Sequence, residues 1–176
     1  MNTKYSFKKV ESLNQLAIRQ ARYSLESQNK NVSSIATNRL AKKRLKEYKS
    51  LISQSELNYK ISFTAMFCSE TNKEIGFYIN SLTIGISILS LVYVYPEYRK
   101  MGHFEHLVNH YEENCSLISG LEVKPDDLEF PKSLYKKWGY NKTVGGLLPN
   151  NYLLIKETEV ENLKNHADKV NESLAA

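Results

Sequence analysis

Ser90-Leu91-Val92-Tyr93-Val94-Tyr95-Pro96-Glu97-Tyr98-Arg99-Lys100-Met101-Gly102-His103-Phe104 decides the fold. A run of β-formers stops at a proline, a tight turn follows, and a helical pattern begins directly after Gly102. Strand, glycine-containing turn and helix start, in that order, make an anion site. The first N–H groups of a helix have no intrahelical partner, and the helix dipole adds partial positive charge there. Gly102 lets the backbone approach an anion closely because it has no Cβ. Arg99 and Lys100 add full charges.

The stretch is not a Walker loop, which needs two glycines and a Lys-Ser/Thr pair, nor a dinucleotide fingerprint, which needs three glycines. It resembles the pyrophosphate loop of the GNAT family, the acetyl-CoA-dependent N-acetyltransferases. That loop follows a hydrophobic strand and reads Val-x-Pro-x-x-Arg, then Arg-x-x-Gly-x-Gly/Ala. Val94, Pro96, Arg99 and Gly102 match, and Phe104 departs from the small residue. A second segment, Ser133-Leu134-Tyr135-Lys136-Lys137-Trp138-Gly139-Tyr140, resembles the family's Leu-Tyr-x-x-x-Gly-Phe. Pro131 is placed to open a short helix there and Gly139 to close it. Leu134 and Trp138, four apart, are expected on one inward face, with Tyr135 pointing elsewhere.

The resemblance implies an α/β (α+β) acyl-CoA N-acyltransferase fold: a mixed, mostly antiparallel central sheet flanked by helices. It implies a bulged key strand that splays from its neighbour and admits the pantetheine arm of acetyl-CoA along Val92, Tyr93 and Val94. The pyrophosphate then rests on Arg99, Lys100, Met101, Gly102, His103 and Phe104. Tyr135 is the implied acid that protonates the leaving thiolate. A backbone N–H near Val94 is the implied partner of the thioester carbonyl, where it favours developing oxyanion charge. The amine attacks directly, so Cys68 and Cys115 are read as small buried hydrophobes rather than nucleophiles. An ammonium has no lone pair, so a base is needed. Residues Ile86 to Tyr95 include no acid, and Glu70, Glu74, His103 or a water chain stand as alternatives. Asp126 or Asp127 stands where the family often has an asparagine.

With 176 residues, 41% hydrophobic and 24% charged, the chain fits one folded domain. No apolar run reaches the roughly 18 residues that span a bilayer. The lysine-bearing start, Lys4, Lys8 and Lys9, has no apolar region behind it and is not read as a secretory leader. Two cysteines are too few for a disulfide framework or a zinc site, so a cytoplasmic setting is expected.

Working outward, strands are predicted at Tyr5–Val10, Lys60–Cys68, Glu74–Asn80, Ile86–Tyr95, Leu117–Val123, Tyr140–Leu147 and Tyr152–Lys156. Residues Ser81–Gly85 are either a turn or an extension of the third strand. Helices are predicted after a Ser12 cap, at Ser34–Ser53, Gly102–Asn114 and Pro131–Trp138. The acetyltransferase-like domain is expected over residues 1–157, with a helical extension over 158–176. Val160, Leu163, Ala167, Val170 and Leu174 form one stripe there, which docks on the domain or pairs with a second subunit as a homodimer. The second helix is basic through Arg39, Lys42, Lys43, Arg44, Lys46 and Lys49, and the net charge is +5. The acceptor is expected to be a primary amine of a small molecule or protein. The alternative is a GNAT-shaped, catalytically weak binding protein that engages an acidic protein or nucleic acid through that helix.

Overall fold

The computed structural model describes residues 4–10, 12–28, 32–54, 60–83, 85–115, 118–123, 133–145 and 152–175. Among these residues seven strands form one sheet: β1 (Tyr5–Val10), β2 (Lys60–Cys68), β3 (Glu74–Thr83), β4 (Ile86–Val94), β5 (Ile118–Val123), β6 (Tyr140–Gly145) and β7 (Tyr152–Lys156). Their order is β1-β2-β3-β4-β5-β7-β6. Only β4 and β5 run parallel; the other neighbours are antiparallel. The helices are α1 (Leu13–Ser27), α2 (Ser34–Gln54), α3 (His103–Glu113) and α4 (Val160–Ala175). The third strand continues to Thr83, which decides between the two readings of Ser81–Gly85 in favour of an extension. No helix among the described residues is long and apolar enough to cross a membrane.

The two sheet faces bury different sets of residues, as period-two alternation requires. Phe63, Ala65, Phe77, Ile79 and Tyr93 pack against Leu16 of α1. Met66, Tyr78, Leu89 and Val94 pack on the opposite face against Leu107 and Tyr111 of α3. Ser12 caps α1 by accepting from the Gln15 N–H, as expected for a serine before an apolar stripe. Ala17 and Ala21 of α1 meet Ala41 of α2, and these small side chains let the two helices approach. Val160 and Leu163, in the first turns of α4, pack against Ile86, Ile88, Leu153 and Ile155. The side chains of Ala167, Val170 and Leu174 lie outside those described.

One irregularity organises the rest. Along β3 and β4 the register pairs Ile79 with Leu91 but Asn80 with Leu89, so Ser90 is an inserted residue. Such a bulge shifts every later side chain to the other face. Leu89 therefore faces α3, Leu91 faces α1, and Val92, Tyr93 and Val94 alternate from there.

Candidate active site

β4 is paired on both sides only as far as Leu89, which meets Leu121 of β5. Beyond that point β5 pairs with β7 alone, while Tyr78, Phe77 and Gly76 of β3 still hold Val92, Tyr93 and Val94. One backbone edge of the later half of β4 thus faces a gap between two parallel strands. A cavity of about 710 Å³ opens along this edge and the turn that follows it. Its lining includes Val92, Tyr93, Val94, Arg99, Lys100, Gly102, His103 and Phe104, eight of the nine residues expected at a cofactor site. Met101 is not in the lining and is mostly exposed.

The turn has the geometry of an anion cradle. Pro96–Tyr98 form one 3₁₀ turn after the strand. Lys100 and Gly102 both adopt the left-handed region, with φ of 65° and 79°. The conformation costs Lys100 of order 1 kcal/mol and suits glycine. Gly102 is the N-cap of α3 and supplies no side-chain cap. The first intrahelical bond is donated by Glu105 N–H to the Gly102 carbonyl at 3.1 Å. The amides of His103 and Phe104 precede it and have no helical partner. A Cβ on Gly102 would meet nothing within 4 Å, so the space over the turn is open.

His103 is 7% exposed. Its Nδ1 is buried with no hydrogen-bond partner among the described residues. Its ring sits between Tyr5 at 5.6 Å and Tyr98 at 6.2 Å, both edge-on. Burial pushes its pKa below the usual histidine range, and His106 and Lys4 push the same way. These neighbours favour the neutral ring, and an incoming negative charge would oppose them. Arg99 folds back instead of reaching forward: its Nε donates to the Val94 carbonyl at 3.0 Å, and its guanidinium lies over the Tyr93 ring at 5.3 Å.

Tyr135 does not line the cavity itself. It packs on Phe104, which does, at 5.8 Å between ring centroids. The bulk of Phe104 is thus taken up by an aromatic cluster with Tyr135 and Trp138. Tyr135 was expected to point away from Trp138, yet the two rings are 5.9 Å apart. The reason is local: the segment tightens into a 3₁₀ turn at Lys136–Trp138, and at three residues per turn positions i and i+3 align. Gly139 closes the turn with φ of 84°, as expected. Burial raises the Tyr135 hydroxyl to about 12.

The sequence reading missed the cavity's carboxylate. It is Glu26, on the last turns of α1, and it lies in the lining with Tyr23. Its Oε2 accepts from the Tyr93 hydroxyl, and its Oε1 is 3.3 Å from Arg22 Nε. The only local signal was an Arg–Glu pair four apart on a helix, which normally marks a solvated surface. Of the base alternatives, Glu70 is exposed in the β2–β3 turn. Glu74 is paired with Arg19 and accepts from the Tyr95 hydroxyl at 3.0 Å, outside the cavity. Cys68 and Cys115 are half-buried and not in a disulfide, less enclosed than expected. Asp126 and Asp127 lie outside the described residues. Arg39, Lys42, Lys43, Lys46 and Lys49 are exposed on α2, while Arg44 is half-buried.

The PaiA N-acetyltransferase of Thermoplasma acidophilum, solved in complex with coenzyme A, matches with a TM-score of 0.52 at 19% identity, covering 86% of this chain and 98% of its own. An acetyltransferase of Thermus thermophilus gives 0.55 at 9% identity over 86% and 96%. Ard1 of Thermoplasma volcanium gives 0.50 at 16% identity over 88% and 99%. The chain has the GNAT N-acetyltransferase fold. No protein-family model and no curated protein matches the sequence. The same fold is therefore carried here by a sequence that shares few residues with those structures.

Proposed function

We propose that this chain is an acetyl-CoA-dependent N-acetyltransferase acting on a primary amine. The observation that carries the reading is the open edge of β4 running directly into an uncapped helix N-terminus. A pantetheine arm can pair with the backbone of Val92–Val94 as an added strand would, sharing the Val94 carbonyl with Arg99 Nε or displacing it. A pyrophosphate fits the amides of His103 and Phe104, beside Lys100 and the orphaned His103 Nδ1. A buried polar atom without a partner is costly, and an anion-bearing ligand would relieve it. Acetyl-CoA supplies the activated acetyl group. The protein's part is to hold the thioester in the gap, polarise its carbonyl with a strand amide, and supply a proton to the departing sulfur. Tyr135, which stands behind Phe104 at the cavity wall, is assigned the last role; burial keeps its proton in place through the neutral range.

Isothermal titration with acetyl-CoA tests this. Micromolar binding is expected, and Gly102→Glu should abolish it by placing bulk and negative charge in the open space over the turn. Absence of binding to the wild-type chain at millimolar ligand would overturn the reading.

A further inference from the structure

We infer that Glu26 receives the acceptor as an alkylammonium ion and takes its proton; this rests on the acetyl-transfer reading above. Glu26 is the one carboxylate among the described residues that line the cavity. It comes from α1, across from the strand edge along which the acetyl donor would lie.

The two carboxylate oxygens are held very differently. Oε2 accepts from Tyr93, a residue only 5% exposed and fixed in the α1-side core. Oε1 faces Arg22, whose side chain is 57% exposed and which lies one helical turn earlier. With Arg22 largely in solvent and Glu26 only 19% exposed, the contact is held from the Glu26 side and the arginine can swing away. An incoming ammonium can replace Arg22 on Oε1 while Tyr93 keeps the carboxylate in place. Tyr23, which lines the same cavity, meets Tyr93 edge-to-face at 4.9 Å, and the Arg99 guanidinium already lies over the Tyr93 ring at 5.3 Å. A carboxylate in a cavity with a tyrosine ring favours an alkylammonium, through charge pairing and, at Tyr23, cation–π attraction. A neutral arylamine gains from neither.

The proton and bond changes balance. The ammonium gives one proton to Glu26 Oε1 and regains its lone pair. The nitrogen forms a bond to the thioester carbonyl carbon, and the carbon–sulfur bond breaks with its electron pair on sulfur. The thiolate takes a proton from Tyr135. Nitrogen sheds its second proton to solvent as the amide forms, and Tyr135 is reprotonated from solvent. Glu26 returns its proton to solvent, so each turnover releases one proton.

The test uses the full chain, with thiol release measured for tyramine, 1,4-diaminobutane and hydroxylamine as acceptors. Hydroxylamine keeps its lone pair free at neutral pH and does not need the base. Glu26→Gln retains an acceptor for the Tyr93 hydroxyl and should keep wild-type acetyl-CoA affinity by calorimetry. Its kcat/KM for tyramine at neutral pH should fall by about 10²-fold. The loss should be much smaller for hydroxylamine, and should shrink for tyramine as pH rises toward that amine's own pKa. Arg22→Ala should lower the KM for tyramine. Equal losses on both acceptors, or no loss, would overturn the assignment. So would a wild-type chain that binds acetyl-CoA but acetylates neither alkylamine. Failure of the wild-type chain to bind acetyl-CoA would instead sink the reading on which the assignment rests.

Discussion

Gly76 is the position where strand spacing and the cavity can be tested with one methyl group. It sits on β3 opposite Val94. A Cβ there would stand 2.4 Å from the Tyr93 carbonyl oxygen, 3.1 Å from Val94 Cα and 3.2 Å from Leu107 Cδ1. Two of these atoms are backbone, and Leu107 is fully buried, so nothing yields cheaply. The closest carbon–oxygen contacts between strands are normally about 3.3 Å or more, so the overlap approaches 1 Å. Relief requires β3 and β4 to part. Overpacking costs about 1–3 kcal/mol, and a weakened ladder hydrogen bond adds about 1 kcal/mol. The reduced freedom of the unfolded alanine chain returns about 0.4–1 kcal/mol. Gly76→Ala should therefore lose about 1–3.5 kcal/mol. For a chain of this length that is a fall in Tm of roughly 2–14 °C. Urea unfolding should give the same loss with an unchanged m-value, and acetyl-CoA affinity should drop because Val92–Val94 move. At Gly102 the situation is reversed: an added Cβ has open space, and only the left-handed φ resists it. Gly102→Ala should cost about 1 kcal/mol. A Gly76→Ala protein within 0.5 kcal/mol of wild type would refute the spacing argument.

Two further outcomes follow from the titratable groups. His103 has a pKa depressed first by burial and then by His106 and Lys4, and burial depresses His110 likewise. The unfolded chain, with histidines near 6.5, then binds more protons than the native one. Stability should be complete above that pH and fall as pH drops through the folded values; a thermal midpoint that does not fall between about pH 7 and pH 5 would contradict this. An anion beside the ring reverses the preference, so acetyl-CoA binding should take up protons just below neutrality. The calorimetric enthalpy should then vary with the buffer's ionisation enthalpy, and a buffer-independent enthalpy would remove His103 from the anion site. Tyr135→Phe should lower kcat by about 10²-fold with little change in acetyl-CoA affinity, and equal turnover would exclude it as the proton donor.

The elements were legible because their patterns are strong. β1, β2 and β7 fall where alternating or apolar runs put them, and Ser12 and Gly139 end their segments as caps should. The turn at Gly102 was legible because a left-handed residue before a helix asks for glycine. Three things were not. The fold-back of Arg99 onto the Val94 carbonyl depends on a side-chain choice made in three dimensions. The tilted packing of Tyr135 on Trp138 depends on a change from 3.6 to three residues per turn, which propensity does not mark. Glu26 was hidden most thoroughly. Its neighbour Tyr93 is 67 positions away, and a glutamate on an amphipathic helix carries no sign of which contact it will make.

Ser90 connects these observations. Without the inserted residue, alternation would turn Tyr93 toward α3 and leave Glu26 without its buried anchor. Val92 and Val94 would turn toward α1, and the surface on which Leu107 and Phe104 pack would be lost. With it, the two proton-handling groups of the proposed reaction lie on opposite faces of one strand: Tyr135 beside Phe104 on the α3 side, Glu26 under Tyr93 on the α1 side. That separation suits an acyl transfer. The bond being made and the bond being broken share one carbonyl carbon, and the nucleophile and the leaving group need different partners. The bulge also coincides with the end of β4–β5 pairing at Leu89. One residue thus sets both the gap into which a thioester would fit and the faces from which its two proton transfers would come.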